Sequence, residues 1–264
     1  VFAGAEVRDL TASPSALRSR VSAIALDRSG NLYCADQDAH VIRKITPAGV
    51  ASIVAGSLNV SGSLNGTATA ARFEQPIGIA VDSGGTLYVT ENYNHWVRKI
   101  TPTGVVSVFA GSMTVSGTLD GTGVQARFNR PSGLAVAPSG DVFVADTENS
   151  RLRKITPAGV VTAQLPYGAS NARPTGIWMD PDGTMMVTDT LNKKISWMKP
   201  SAGSSVPETG AINVYDASGN SVFRCPMAVS RHPSGLVFVL DWRAPYDPSD
   251  ARIWAVKQAP FSWM

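Results

Sequence analysis

One pentapeptide, Arg-Lys-Ile-Thr-Pro, opens at Arg43, Arg98 and Arg153, at a spacing of 55 residues each time. A period in this range marks a chain built by repetition of one supersecondary unit, and it constrains the fold more than any composition figure. Around each pentapeptide the same grammar recurs. A strand of aliphatic and β-branched residues (strand a) runs into a turn, DRSGN, DSGGT or APSGD, with weaker copies DPDGT and HPSGL further on. Asp, Pro, Ser and Gly are the residues that favour such tight reversals. Strand b follows (LYCAD, LYVTE, VFVAD, MMVTD, VFVLD), then a polar loop, strand c, a second turn and strand d.

Strands this apolar on both faces need cover on both sides. Stacking four-stranded antiparallel sheets face to face around an axis supplies it, so the pattern predicts an all-β fold, a β-propeller. Five sets of strands a, b and c give five blades. Residues 1–4, VFAG, repeat the end of strand d in VVSVFAG, and residues 261–264, FSWM, fall at the strand d position after RIWAVK. The expectation is a ring closed by these N- and C-terminal strands. No linker or composition break divides the chain, so residues 1–264 read as one domain.

With 44% hydrophobic and 16% charged residues the chain can bury a large core. A net charge of +3 is too small to imply nucleic acid by itself. No apolar run of about 18 residues is present, which excludes a transmembrane helix from the expectation. The start at Val1, the Ser/Thr/Gly-rich loops and two sequons at Asn59 and Asn65 direct the expectation to a secreted, extracellular domain cut from a longer chain or belonging to a larger assembly. Cys34 occupies the slot held elsewhere by Val89, Val144, Val187 and Val239, and so reads as a buried apolar residue rather than a reactive thiol.

The string A-R-F-x-x-P-x-G-I-A-V-D…G-x-L-Y-V-T-E-x-x-N-H-x-V-R-K-I resembles the NHL repeat family, most fully over residues 62–111 and 117–156. The eponymous pair is Asn94-His95, and it decays to Ala39-His40, Asn149-Ser150 and Asn192-Lys193 elsewhere. The resemblance implies a propeller whose usual blade number is six, one more than the count here. It says little about activity, because one fold hosts many.

Three histidines raise the question of a zinc site. NHL-like propellers include the amidating lyase, which resembles a His-ligated zinc enzyme with a Pro-His-Gly string opening strand a. The matching positions here are Pro76-Ile77-Gly78, Pro131-Ser132-Gly133, Pro174-Thr175-Gly176 and Pro226-Met227-Ala228, without histidine. His40 and His95 fall in b–c loops and His232 in an a–b turn at the other end of the blade, so the three cannot converge. Asp36, Glu91, Asp146, Asp189 and Asp241 end strand b in each blade, where lactonase-like propellers collect calcium ligands. A residue repeated in every blade reads instead as structural, with Arg43, Arg98 and Arg153 as partners. No nucleophile motif, phosphate loop or paired-cysteine site appears. The sequence therefore assigns no catalytic residue, no metal and no cofactor.

The loops at 56–70 and 111–124 share S-G-[ST]-L-[ND]-G-T followed by A-R-F, and are expected to be two copies of one structured excursion anchored by Phe73 and Phe128. The regular pattern breaks at residues 242–250, a lengthened b–c loop with Trp242, Arg243, Tyr246, Asp247 and Asp250. That loop shares a rim with Asn94, His95, Trp96, Arg127 and Arg130. Aromatics beside arginine are enriched at contact surfaces, although Trp242 and Tyr246 could equally plug the axis. These ten residues are the binding candidates. The expected function is a non-catalytic binding or scaffold module presenting one loop face to a protein or glycan partner. The alternatives are a propeller hydrolase or lyase with an axial metal, and an RNA-binding NHL domain using Arg72, Arg127, Arg130, Arg151, Arg173 and Arg243.

Overall fold

A computed structural model describes residues 20–164, 172–199, 208–213, 218, 221–231, 236–244 and 247–257. Blade one contains β1 (Val21–Leu26), β2 (Leu32–Asp36), β3 (Val41–Ile45) and β4 (Ala51–Ala55). A two-residue strand, β5 (Gly66–Thr67), precedes β6 (Pro76–Val81), β7 (Leu87–Glu91), β8 (Trp96–Ile100) and β9 (Val105–Gly111) of blade two. Blade three repeats that plan with β10 (Gly121–Thr122), β11 (Pro131–Val136), β12 (Val142–Asp146), β13 (Arg151–Ile155) and β14 (Val160–Gln164). Blade four is β15 (Pro174–Met179), β16 (Met185–Asp189), β17 (Lys194–Lys199) and β18 (Glu208–Ile212). Blade five has three described strands, β19 (Pro226–Arg231), β20 (Leu236–Ala244) and β21 (Asp247–Lys257). All neighbours within a sheet are antiparallel, and the five sheets form a β-propeller, as the repeat predicts. The terminal segments expected to close the ring lie outside the described residues.

Among the described residues the core falls into four hydrophobic clusters, one in each seam between successive blades. Ala23, Tyr33, Ala35 and Ile42 of blade one meet Ile79, Leu87 and Val89 of blade two. Tyr88, Val97 and Ala110 meet Leu134, Val142 and Val144. Ala145 and Leu152 meet Met185, Val187 and Ile177. Met186 and Ile195 meet Val229, Val237 and Val239. Cys34 is buried mid-strand opposite Ile24 and Arg43, in its expected valine slot.

Polar keys sit beside the apolar ones at the inner strands. Ser22 Oγ donates to the Pro76 carbonyl at 2.8 Å, and Thr90 Oγ1 to the Ser132 carbonyl at 2.5 Å. Ser132 Oγ donates to the Thr175 carbonyl at 3.0 Å, and Thr190 Oγ1 to the Pro226 carbonyl at 3.0 Å. Each hydroxyl ties one blade to the first residues of the next, so carbonyls next to a strand bulge do not go unpaired in a buried place. Glycine makes the approach possible. A methyl group on Gly78 or Gly133 would collide with the Ser132 or Thr175 carbonyl oxygen of the following blade.

One expectation is corrected. Residues 242–250 are not a loop: β20 continues to Ala244 and β21 starts at Asp247, with Trp242 paired to Ala251 and Ala244 to Asp247. Pro248 is compatible with this because β21 is the last described strand of its sheet, where a missing N–H costs no ladder bond.

Candidate binding face

The carboxylate that ends strand b organises each blade's loop end. Glu91 accepts the Glu74 amide at 2.6 Å, Asn94 Nδ2 at 3.0 Å, Trp96 Nε1 at 2.8 Å and Arg98 Nη1 at 3.0 Å. Asp146 accepts the Asn129 amide, Asn149 Nδ2 and Arg153 Nη1 at 2.7, 2.8 and 3.2 Å. Asp189 takes the Arg173 amide, and Asp241 the amides of Arg224 and Cys225. In every case the amide belongs to the segment that leads into the blade's own first strand, so the carboxylate fastens that entry to the end of strand b. Burial pushes the Glu91 carboxyl above its ordinary range against the pull of Arg98. It pushes Asp146 up to about 6 despite the hydrogen bonds it accepts. Their acceptor capacity goes to groups of the same blade, which fits a structural carboxylate.

The arginine partners extend this hub outward. Arg98 also reaches the carbonyls of Leu64 (3.0 Å) and Arg72 (3.3 Å) and Asn65 Oδ1 (2.9 Å). Arg153 makes the matching bonds to Leu119, Arg127 and Asp120 Oδ1 at 3.0, 2.7 and 2.7 Å. Their guanidinium planes lie over Phe73 and Phe128, and both rings are fully buried. The two excursions are thus one structure made twice, as their shared string predicts. A third anchor went unread in the sequence. Phe223, also fully buried, stands three residues before Pro226, as Phe73 and Phe128 stand before Pro76 and Pro131.

The binding candidates separate on this geometry. Asn94 and Trp96 are buried and bound to Glu91, so they belong to the blade interior and not to the rim. His95 sits in the left-handed region with φ 54°, and its Nδ1 accepts the Arg130 amide at 3.0 Å across the seam. His40 does the same for the Gln75 amide at 3.1 Å. Desolvation, then the nearby Arg130 charge, hold the His95 pKa below its ordinary value, which suits a neutral acceptor. Arg127 Nη1 donates to the carbonyls of Val124, Gln125 and Ala126, closing the turn that it follows. Arg130 lies over the exposed Tyr93 ring, 5.5 Å from its centre. Trp242, Arg243, Asp247 and Asp250 are backbone positions of the β20–β21 ribbon, and Tyr246 lies outside the described residues. No group of three or more His, Cys, Asp or Glu side chains is placed to hold a metal among the described residues.

The periphery does carry a repeated surface feature. The first excursion exposes Leu58, Val60 and Leu64, and the second exposes Met113, Val115 and Leu119 at the same positions one repeat later. Strands β5 and β10 pair with the outer edges of β9 and β14, and so fix both excursions to the rim.

Comparison with known proteins places this geometry. The family model described as NHL repeat matches residues 73–100 and 128–155. "Protein SUPPRESSOR OF QUENCHING 1, chloroplastic" of Arabidopsis thaliana is 30% identical over 131 residues, which is 47% of this chain and 12% of that protein. "NHL repeat-containing protein 2" of Bos taurus is 28% identical over 132 residues, 46% of this chain and 18% of that protein. The chain therefore spans under a fifth of the length of these relatives. Among solved structures, virginiamycin B lyase from Staphylococcus aureus superposes with a TM-score of 0.58 at 15% identity, over 90% of this chain and 69% of the lyase. A gluconolactonase from Xanthomonas campestris gives 0.59 at 15% identity, over 84% and 71%. At these identities the likeness is one of fold.

Proposed function

We propose that this β-propeller, which carries two matches to the NHL repeat, is a non-catalytic binding module that holds a protein partner at its outer rim. One observation carries this reading: the duplicated apolar set Leu58, Val60, Leu64 and Met113, Val115, Leu119, exposed on two excursions whose backbones are pinned by buried arginines. Exposed apolar side chains on rigid supports lose little conformational entropy when covered, which favours a preformed docking surface. Their chemistry fits a protein surface better than a glycan, which needs polar hydrogen-bonding groups.

The test compares the chain with a Leu64→Ser, Leu119→Ser variant in crosslinking followed by mass spectrometry from native source material. The expected result is a defined partner crosslinked at the excursions, lost at least tenfold in the variant, with melting temperature unchanged because both side chains are exposed. A crosslinked partner retained equally by the variant would remove the rim from the reading. Turnover of virginiamycin B or of gluconolactone by the chain, the compounds named for its fold neighbours, would replace the reading altogether.

A further inference from the structure

At the turn end of each blade one row of side chains crosses strands a, b and c, and in blades one to three that row is aliphatic. Leu26, Leu32 and Ile45 stand directly opposite one another in blade one, Val81, Leu87 and Ile100 in blade two, and Val136, Val142 and Ile155 in blade three. Blade four places three methionines in the same register: Met179 on β15 is opposite Met185 on β16, which is opposite Met198 on β17. All three belong to the cluster in the seam toward blade three. Burial does not call for the exchange, because Leu87 is exposed by 2%, Val142 by 0% and Met185 by 4%. What the exchange adds is sulfur, three times in one row.

The opposing wall changes with it. In the two preceding seams a tyrosine packs against the row, and its hydroxyl donates to a turn aspartate of its own blade: Tyr33 Oη to Asp27 Oδ2 at 3.3 Å and Tyr88 Oη to Asp82 Oδ2 at 3.5 Å. One repeat later Phe143 and Ala137 stand at those two places, so the hydroxyl and the carboxylate are lost together. Phe143 packs in the same cluster as the three methionines. This seam therefore has thioethers and a bare aromatic ring where the earlier two have aliphatic groups and a capped phenol. Met185 and Met198 are buried, while Met179, the last residue of β15, is half-buried, so the row meets solvent at that end.

We propose that Met179, Met185 and Met198 form a thioether site for a soft monovalent cation, copper(I). A thioether is a neutral, polarisable ligand that selects copper(I) over ions that prefer oxygen. Side chains directly opposite on neighbouring antiparallel strands have Cβ atoms about 4.5–5.5 Å apart. Methionine is unbranched and turns about three side-chain bonds, so the three sulfurs can close on one ion without movement of the strands. The Phe143 ring suits the same occupant, since an aromatic face attracts a cation. Calcium and magnesium need oxygen ligands, and the row supplies none. The site lies in a seam, apart from the rim excursions, and stands or falls independently of the rim reading.

The test adds silver(I), a redox-inert stand-in for copper(I), to the 264-residue chain and follows the methyl signals of its seven methionines by NMR, assigned with single Met→Leu variants. One equivalent should shift the signals of Met179, Met185 and Met198 together and leave that of Met113 in place. Copper(I) kept reduced by ascorbate should do the same, and zinc(II) should shift none of the three. Met185→Leu should weaken silver binding at least tenfold, with the melting temperature of the metal-free chain within a few degrees of wild type, because leucine fills that place in blade two. Met227→Leu should leave binding unchanged; it removes the sulfur 3.8 Å from the Cys225 sulfur, a second sulfur pair among the described residues. Binding lost with Met227→Leu and kept with Met185→Leu would give the ion to that pair and overturn the proposal. No shift of the three signals at stoichiometric silver, or equal binding by the wild-type and Met185→Leu chains, would overturn it too and leave the row as packing alone. The wild-type methyl shifts decide the matter by themselves where a variant does not fold.

Discussion

Blade three and blade five share a carboxylate at the end of strand b and little of what surrounds it. Asp146 and Asp241 both accept the amide of the segment that enters their own blade, at 2.7 Å from Asn129 and 2.7 Å from Cys225. Opposite the mid-strand valine, however, blade three has Arg153 and blade five has Trp254, whose Nε1 donates to Asp241 at 3.3 Å. Arg153 serves two masters, the carboxylate and a long excursion, whereas Trp254 serves the carboxylate alone. The device that completes a blade is kept where the devices that join blades have changed. Stability within a blade and adhesion between blades are therefore separate properties of this chain, altered by different residues.

The largest test of that separation is Arg153→Met against Trp254→Phe. Removing the guanidinium leaves Asp146 buried and uncompensated, which should cost about 3–5 kcal/mol in urea unfolding. Removing the indole N–H deletes one neutral hydrogen bond and should cost about 1 kcal/mol. Equal losses would merge the two roles. Next in size, Gly133→Ala forces a methyl group onto the Thr175 carbonyl and should cost about 1–3 kcal/mol, while Ala228→Gly, which meets no such neighbour strand among the described residues, should cost no more than about 1 kcal/mol.

His95 gives a pH-dependent test of the seam between blades two and three. Its pKa is lowered in the folded protein, so the neutral ring is the stabilising form. That contribution is complete above the ordinary value of 6.5 and is lost as pH falls through the lowered folded value. Wild-type protein should thus lose stability between about pH 7 and pH 5 relative to His95→Ala, by up to about 1 kcal/mol, the worth of one hydrogen bond. A pH slope unchanged by the substitution would remove His95 from the seam. The smallest effect belongs to the half-exposed pair of Arg173 and Glu148 at 2.8 Å, where Glu148→Gln should change unfolding by no more than about 1 kcal/mol.

The repeat made the fold legible because each unit restates the same strands, turns and buried slots, and the structure repeats them in register. The carboxylate–arginine pairing was legible for the same reason. The role of His95 was not. Its partner is an amide 35 residues ahead, and only the left-handed backbone at both His95 and Arg130 brings them together. Asn94 and Trp96 misled because a polar loop reads as surface, while here the loop folds back and spends its donors on Glu91. The ribbon at Trp242 misled because a stretch between strands b and c longer than in the other blades reads as loop, while here β20 and β21 extend along it and the last described strand of the sheet takes up Pro248. The rim surface was overlooked because its apolar residues are scattered singly along the sequence, and only their exposure on both pinned excursions marks them out.

The hydroxyl keys at the inner strands have a consequence for how the molecule assembles. The longest-reaching described hydrogen bond, from Ser22 to the Pro76 carbonyl, spans 54 residues, about one repeat. Every described tie is therefore between a unit and itself or its immediate successor, so order can spread along the chain one step at a time, each new unit closing a loop of similar length and similar entropic cost. Among the described residues no tie waits for a distant contact: each of these sheets can lock onto the one before it as soon as its own residues are available.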